Sequence, residues 1–271
     1  MNNLSVILGL LLLTGQVPDA AISLENAERG EIILKFNQAY ISELIDSPFV
    51  DEEDIHVEDA HHFTYDHQDD WLFETGRMQS PINIDTKILE PSHTYHELDF
   101  NFDSHVHHVS DTGHSIELAL TGKSHFMNRE FSLLQLHFHA PSEHTVDGKY
   151  SDLEAHFVHT GEDGRLAVMG ILFNVGEENT AFEILLDEIE DSDLENGFEI
   201  ALASFLPEDL AYYHYIGSLT TPPLAENVEW YILEEQLEIS QEQLNRFHKF
   251  YEDNNRDIQD LNDRIITYIN D

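Results

Sequence analysis

Two short stretches with alternating residue character constrain this chain more than any other feature of its sequence. Residues 135–139 read QLHFH, so polar and apolar side chains alternate strictly. Residues 153–159, LEAHFVH, place another histidine between apolar neighbours. Successive side chains of a β-strand point to opposite faces, and this period of two predicts a strand for each stretch. The first strand would carry Gln135, His137 and His139 on one face, and the second would carry Glu154, His156 and Val158 on one face.

If the two strands are neighbours, the imidazoles of His137, His139 and His156 meet at one point. Three neutral imidazoles leave a fourth tetrahedral position open, which is typical of catalytic zinc. Gln135 and Glu154 lie on the same faces, two residues from a histidine, where each can accept the second ring N–H of a metal ligand. Imidazole also binds copper and nickel, and isolated H-x-H pairs are more often half-buried histidines than ligands. The pattern alone predicts a metal centre without naming the metal.

The chain is strongly acidic. Its 271 residues include 12 Lys and Arg against 54 Asp and Glu, a formal net charge of −42 at pH 7. Phosphate groups are repelled by such a surface, so nucleic acid and anionic membrane surfaces are excluded as expected partners. Hydrophobic residues still make up 41% of the chain, which is enough for a packed core. The absence of cysteine excludes thiolate metal sites, disulfides and cysteine nucleophiles.

The first 60 residues differ from the remainder. An apolar run at 4–13 is too short to span a bilayer and predicts a signal peptide over residues 1–20, with a buried N-terminal helix as the alternative. Residues 21–60 are predicted to be an N-terminal extension with a short amphipathic helix at 30–45 and an acidic linker. The protein is therefore expected to be secreted or periplasmic.

From residue 61 onward the pattern of apolar and polar residues changes. Short apolar runs are interrupted by Gly, Pro, Asp and His as far as Trp230. This is typical of a β-rich fold with few long helices. Residues 61–271 are predicted to form one domain.

Seven motifs follow one another along this domain. They are QSPINID at 79–85, TGHSIEL at 112–118, QLHFHAPSEHTVDG at 135–148, EAHFVH at 154–159, LAVMGILF at 166–173, YIGSLTTPPLAENVEW at 215–230 and DNNR at 253–256. In order and spacing they resemble the alpha-class carbonic anhydrases. The resemblance implies a mixed α/β, β-dominated fold: a single domain with a large twisted, mostly antiparallel β-sheet and short flanking helices. It also implies zinc-dependent, reversible hydration of carbon dioxide to bicarbonate and a proton.

Carried over position by position, the resemblance implies three zinc ligands and one hydrogen-bond partner for each. The ligands are His137, His139 and His156, and the partners are the side chains of Gln135 and Glu154 and the backbone carbonyl of Asn254. Thr220 resembles the residue that accepts a hydrogen bond from zinc-bound hydroxide and donates one to Glu143. With its donor role committed to Glu143, the Thr220 hydroxyl can only accept from the hydroxide.

The resemblance also implies residues for the substrate and for the proton. Thr221 would help to bind bicarbonate, His114 would be the proton shuttle, and Tyr65 would help to order water in the cleft. An apolar wall for carbon dioxide is implied at Val158, Val168, Leu219, Val228 and Trp230. Relatives often carry Asn or Gln where this chain has Glu117, and its negative charge is expected to raise the pKa of His114.

Two other functions fit parts of the sequence. A carbonic-anhydrase-like binding or matrix protein would use the acidity for Ca²⁺ or mineral surfaces, although retention of all three histidines favours catalysis. A zinc hydrolase acting on an ester would use the same site, but no motif indicates a particular ester. The expected cofactor is Zn²⁺, the expected partner is a small-molecule substrate, and the chain is expected to be a monomer or a homodimer.

Overall fold

The computed structural model of the protein describes residues 22–26, 32–36, 63–71, 75–91, 98–190 and 197–270. The chain divides into two compact units, residues 1–62 and residues 63–271. None of the helices within the described residues is long and apolar enough to cross a membrane.

The N-terminal unit contains one described antiparallel pair, β1 (Ile22–Asn26) and β2 (Ile32–Phe36), in which Ile22 lies opposite Phe36. The helix expected at 30–45 is therefore wrong for Ile32–Phe36. β-Branched residues occur at Ile32 and Ile33, which favour an extended backbone. The predicted signal peptide and the acidic linker lie outside the described residues.

The second unit is built mainly of strands. Their bounds are β3 Asn83–Ile84, β4 Glu90–Pro91, β5 Asp99–Phe102, β6 His105–Val106, β7 His108–Asp111, β8 Ile116–Ala119, β9 Gly122–Phe126, β10 Arg129–His139, β11 Thr145–Val146, β12 Lys149–Tyr150, β13 Leu153–Gly161, β14 Leu166–Val175, β15 Phe198–Glu199, β16 Tyr212–Ser218, β17 Glu226–Leu233, β18 Leu237–Ile239 and β19 Thr267–Ile269. Twelve of them form one sheet whose main path is β4-β19-β16-β17-β14-β13-β10-β8-β7. Short 3-10 helices occur at Tyr65–Asp70 and Leu202–Phe205.

Most neighbours in the large sheet run antiparallel, while β14 is parallel to β17 and β18, and β19 is parallel to β4. The α-helices are α1 (Thr180–Glu190) and α2 (Gln241–Phe247). Ser240 caps α2: its hydroxyl accepts the Gln243 N–H, and the Gln243 side chain accepts the Ser240 N–H, which satisfies N–H groups that a helix start leaves free. The predicted fold class is confirmed.

The two faces of the central strands have different surroundings. Leu136 and Phe138 of β10 and Phe157 of β13 are buried in the main hydrophobic core, together with Phe182 of α1 and Phe247 of α2. The alternate residues of the same strands, which include the three predicted metal ligands, face away from this core. Helix packing on one face therefore holds the strands that carry the candidate site on the other.

Candidate metal centre and catalytic site

Strands β10 and β13 bring the three predicted ligands together. In the antiparallel register His137 lies opposite His156, and His139 lies opposite Glu154. The ring centroids are 5.0 Å apart for His137 and His139, 5.1 Å for His137 and His156, and 4.7 Å for His139 and His156. One ring nitrogen from each lies within 4.8 Å of the other two. Such a cluster can hold a single metal ion.

Hydrogen bonds determine which nitrogen of each ring is available. His137 Nδ1 donates to Gln135 Oε1 at 2.7 Å, and His139 Nδ1 donates to the Asn254 carbonyl at 2.6 Å. His156 Nε2 donates to Glu154 Oε1 at 2.8 Å. All three partners are oxygen acceptors, so each neutral ring keeps its lone pair on the other nitrogen. The lone pairs are those of Nε2 in the first two rings and Nδ1 in His156.

The local electrostatics favour neutral rings at two of the three positions. Desolvation lowers the pKa of His137 well below its ordinary value, and the neighbouring imidazoles lower it further. Desolvation also lowers the pKa of His139. In His156 it acts in the same direction, but the Glu154 and Glu143 carboxylates outweigh it and raise the pKa. A neutral imidazole is the form that binds a metal.

The donor set fits zinc. His139 Nε2 is buried and has no hydrogen-bond partner among the described residues. A buried polar atom without a partner costs free energy, and coordination of a cation would satisfy it. Among the residues that the structure describes, the cluster offers three imidazole nitrogens and no fourth protein ligand, which matches the composition of a catalytic zinc site.

Glu143 lies beside the cluster and is fully buried. Its Oε1 accepts the Arg256 backbone N–H at 2.8 Å. Its Oε2 is 3.6 Å from His139 Nε2 and 3.9 Å from His156 Nδ1, and it has no hydrogen-bond partner among the described residues. The hydrogen bond expected from Thr220 to Glu143 is therefore not made to this oxygen, which faces the imidazoles instead.

Thr220 and Thr221 lie in the loop that joins β16 to β17. The loop is closed by hydrogen bonds from Leu219 N to Ala225 O at 2.9 Å and from Leu224 N to Thr221 O at 3.0 Å. Thr220 is buried and Thr221 is partly exposed. Both therefore sit on a turn held at its two ends.

The predicted apolar wall forms one packed cluster. Val158 pairs with Val168 across β13 and β14, and Val168 pairs with Trp230 across β14 and β17. Val228 is buried in the same cluster, and Leu219 packs against it. The Trp230 ring lies 4.9 Å from the His156 ring, centroid to centroid. The structure thus places all five residues in one apolar cluster that reaches the three histidines.

His114 lies in the turn between β7 and β8 and stacks on an aromatic ring. Its ring centroid is 3.6 Å from that of Phe63, with 20° between the planes. Phe63 in turn makes edge contacts with Tyr65 and Trp71. The Tyr65 hydroxyl is buried without a hydrogen-bond partner within the described part of the chain, and burial, followed by the charge of Glu143, raises its pKa.

Glu117 lies opposite His137 in the pairing of β8 with β10. Burial raises its pKa, and the charge of His108 opposes this effect. The expected influence of Glu117 on the pKa of His114 stays a prediction.

Sequence reasoning missed a buried chain of hydrogen bonds behind the histidine cluster. His144 Nδ1 donates to Glu154 Oε1 at 2.8 Å, the same atom that accepts from His156. The Tyr215 hydroxyl donates to His144 Nε2 at 2.7 Å and lies 2.7 Å from Ser80 Oγ. The position of His144 next to Glu143 was the one feature of the sequence that pointed to this chain of hydrogen bonds. Tyr215 and Ser80 are far from His144 in sequence, so their contacts could not be predicted.

Comparison with known proteins identifies the family. Residues 66–270 match the family model described as eukaryotic-type carbonic anhydrase. A carbonic anhydrase of Pectobacterium atrosepticum is 38% identical over 207 residues, which cover 73% of this chain and 82% of the relative. The structure of the Thermovibrio ammonificans alpha-carbonic anhydrase with sulfanilamide is similar with a TM-score of 0.65 at 37% identity, covering 71% of this chain and 87% of that one.

The alpha-carbonic anhydrase of Photobacterium profundum gives a TM-score of 0.64 at 33% identity, covering 71% of this chain and 89% of the other. The family match covers the residues that build the large sheet and the histidine cluster. The chain therefore belongs to the alpha-class carbonic anhydrases, the lyases that hydrate carbon dioxide.

Proposed function

We propose that this protein is a zinc enzyme that converts carbon dioxide and water to bicarbonate and a proton at the His137, His139 and His156 cluster. The observation that carries the proposal is the convergence of three imidazole rings, each of which is oriented by its own acceptor. A hydrogen bond fixes the tautomer of each ring, and one nitrogen of each ring lies within 4.8 Å of one nitrogen of each other ring. The apolar wall begins beside these rings.

Zinc held by these nitrogens would lower the pKa of a coordinated water to about 7, so that a nucleophile is available at neutral pH; carbonic anhydrase is the standard example of this effect. The protein then has to admit an uncharged substrate, orient the nucleophile and remove a proton. Each task has candidate residues in the structure.

The wall residues, Val158 and Trp230 among them, offer carbon dioxide a buried apolar surface, which suits a ligand without charge. Thr221, which is partly exposed, is proposed to bind bicarbonate. Thr220 is proposed to orient the nucleophile by accepting a hydrogen bond from it while its own hydroxyl donates a hydrogen bond to Glu143. Glu143 Oε2 faces the imidazoles in the structure, but it has no hydrogen-bond partner among the described residues and is the acceptor that this proposal requires.

Proton removal is assigned to His114. An imidazole titrates near neutrality and can both accept and release a proton. The stack on Phe63 supports a defined position for this ring, and Tyr65 beside it is proposed to help order the intervening water.

Stopped-flow measurement of carbon dioxide hydration tests the proposal. The zinc-loaded protein should be active, and both the chelated protein and His137→Ala should lose most of their activity together with bound zinc. His125→Ala is the matched control, because this partly exposed histidine contacts Asp99 and Glu130 and lies outside the cluster. Full activity in the chelated protein or in His137→Ala would overturn the proposal.

We also propose that the protein is secreted or periplasmic, on the basis of the apolar segment within residues 1–20. Expression of the full chain in a bacterium, followed by mass spectrometry of the exported fraction, should show cleavage after Ala20. Retention of residues 1–20 in a cytoplasmic product would contradict export.

A further inference from the structure

One buried side chain contacts both the metal-ligand strand and the shuttle loop, defined here as residues 111–115. Asn254 is 2% exposed. Its backbone carbonyl accepts the His139 Nδ1–H at 2.6 Å. Its side-chain Nδ2 donates to the His114 carbonyl at 3.1 Å and to the Phe138 carbonyl at 3.0 Å. Its Oδ1 accepts the Ala140 N–H at 2.9 Å.

Hydrogen bonds within the shuttle loop fix its conformation, but its position relative to β10 depends on contacts with other residues. Thr112 N donates to the Ser115 carbonyl at 3.0 Å, and Gly113 N donates to Asp111 Oδ1 at 2.9 Å. Gly113 has a φ of 82°, in the left-handed region where glycine is favoured. These bonds set the shape of the loop, not its distance from β10. The hydrogen bond from Asn254 to the His114 carbonyl fixes the distance between the loop and β10. The same side-chain amide is also hydrogen-bonded to Phe138 and Ala140, the two neighbours of His139.

A second contact joins the loop to the same C-terminal segment. The Tyr251 hydroxyl donates to Asp111 Oδ1, the atom that also accepts the Gly113 N–H. Asp253 N donates to the Ala140 carbonyl at 2.8 Å. The segment 251–254 therefore bonds the loop at two points and the end of β10 as well.

We infer that Asn254 is a positioning residue for proton transfer, whose side-chain amide holds His114 at a fixed distance from the metal centre. This inference rests on the proposed function. The rate of proton transfer falls steeply when donor and acceptor are displaced, and a misplacement of about 1 Å can cost a factor on the order of 100. Loss of the amide should therefore slow proton removal more than carbon dioxide hydration itself.

The test compares Asn254→Ala and Asn254→Asp with the wild type. Asn254→Asp keeps an oxygen that can accept the Ala140 N–H but loses the amide that donates to the His114 and Phe138 carbonyls. In dilute buffer, kcat should fall about ten-fold in both variants, while kcat/KM falls less. A small imidazole buffer should restore much of the kcat, because it can carry the proton in place of His114. Asn245→Ala is the matched control, as this asparagine of α2 is exposed.

A double-mutant cycle separates positioning from general damage. In a His114→Ala background, substitution of Asn254 should cause no further fall in kcat, since the two residues act through one step. The imidazole resonances of His114, followed by NMR across pH, should move in Asn254→Asp and stay unchanged in Asn245→Ala. Zinc content should be measured in every variant.

An unchanged kcat in Asn254→Asp, or an additive loss in the double mutant, would overturn the inference. Equal falls in kcat and kcat/KM together with loss of zinc would also overturn it, because Asn254 would then act only through His139. An inactive zinc-loaded wild type would instead contradict the proposed function, so the two failures are distinguishable.

Discussion

At the scale of single residues, the three imidazoles differ in the charge of the group that orients them. Gln135 offers a neutral side-chain amide, Asn254 a peptide carbonyl and Glu154 a carboxylate. A partner with more negative charge makes the opposite ring nitrogen a stronger base and a better ligand. Glu154 is itself held by the N–H groups of Glu143 and His144, both at 2.8 Å. Gln135, only partly buried, is thus the least constrained of the three partners.

Substitution of Gln135 should weaken zinc binding without unfolding the protein. In Gln135→Ala, His137 loses the acceptor that fixes its tautomer, and the Kd for zinc should rise about ten-fold or more. Competition with a chromogenic chelator measures this change. Gln135→Glu retains an acceptor and should bind zinc at least as well as Gln135→Ala does. Gln241→Ala, at an exposed position of α2, is the control, and equal Kd values in Gln135→Ala and wild type would contradict the prediction.

At the scale of secondary-structure elements, one buried carboxylate joins three parts of the large sheet. Glu229 of β17 accepts two hydrogen bonds from Arg129, at the start of β10, one of them at 2.6 Å. It also accepts from Arg165, just before β14, at 3.0 Å and from the Tyr231 hydroxyl at 2.7 Å. Burial raises the pKa of Glu229, but contacts with His214, Arg129 and Tyr231 outweigh it and hold the pKa well below its usual range.

Glu229→Gln should therefore destabilise the fold in a pH-dependent way. At neutral pH the free energy of unfolding should fall by about 1–3 kcal/mol, because charge-assisted hydrogen bonds are lost. A carboxyl whose pKa is lowered in the folded state stabilises it above the unfolded pKa of about 4.3, and this stabilisation is lost progressively at lower pH. The difference between wild type and variant should accordingly shrink below about pH 4.

Urea denaturation of both proteins at neutral and acidic pH measures the effect. Glu130→Gln is the control, because Glu130 is exposed and pairs with Lys123 at the surface, where ion pairs contribute little. A difference between Glu229→Gln and wild type that persists undiminished in acid would argue against a charge effect.

At the scale of the whole molecule, the chain carries a net charge of −42, whereas carbon dioxide is uncharged. Carbon dioxide is indifferent to the field, whereas bicarbonate and other anions are repelled. Several of the 12 basic residues form ion pairs with carboxylates. Arg246 of α2, for example, contacts Glu183, Asp187 and Glu190 of α1 at 2.5, 2.7 and 3.0 Å. Most acidic groups therefore repel one another across the surface.

Salt should stabilise the protein. The screening length falls from about 30 Å at 0.01 M to about 3 Å at 1 M ionic strength, so repulsion between exposed carboxylates is largely removed. Thermal unfolding in dilute buffer and in molar NaCl should show a higher Tm in the salt. The increase should be smaller at mildly acidic pH, where exposed histidines gain positive charge. A Tm that is unchanged or lower in salt at neutral pH would contradict the prediction.

Local periodicity was enough to predict the strands that carry the histidine cluster. The alternation at 135–139 and 153–159 places His137, His139 and His156 on one face, because successive side chains of a strand must point in opposite directions. β10 and β13 have this arrangement. The same reasoning was wrong for Ile32–Phe36, a strand in the structure, because a short apolar run fits both a helix and a strand.

Contacts between distant parts of the chain were decided only by the tertiary structure. The sequence by itself determined which residue types could bind a metal and which face of each strand would carry them. The register of β10 with β13, the approach of Asn254 to His114 and the direction of Glu143 Oε2 depend on how the sheet and its loops pack. Periodicity is a property of neighbouring residues, whereas these contacts join residues that meet only when the whole core is assembled.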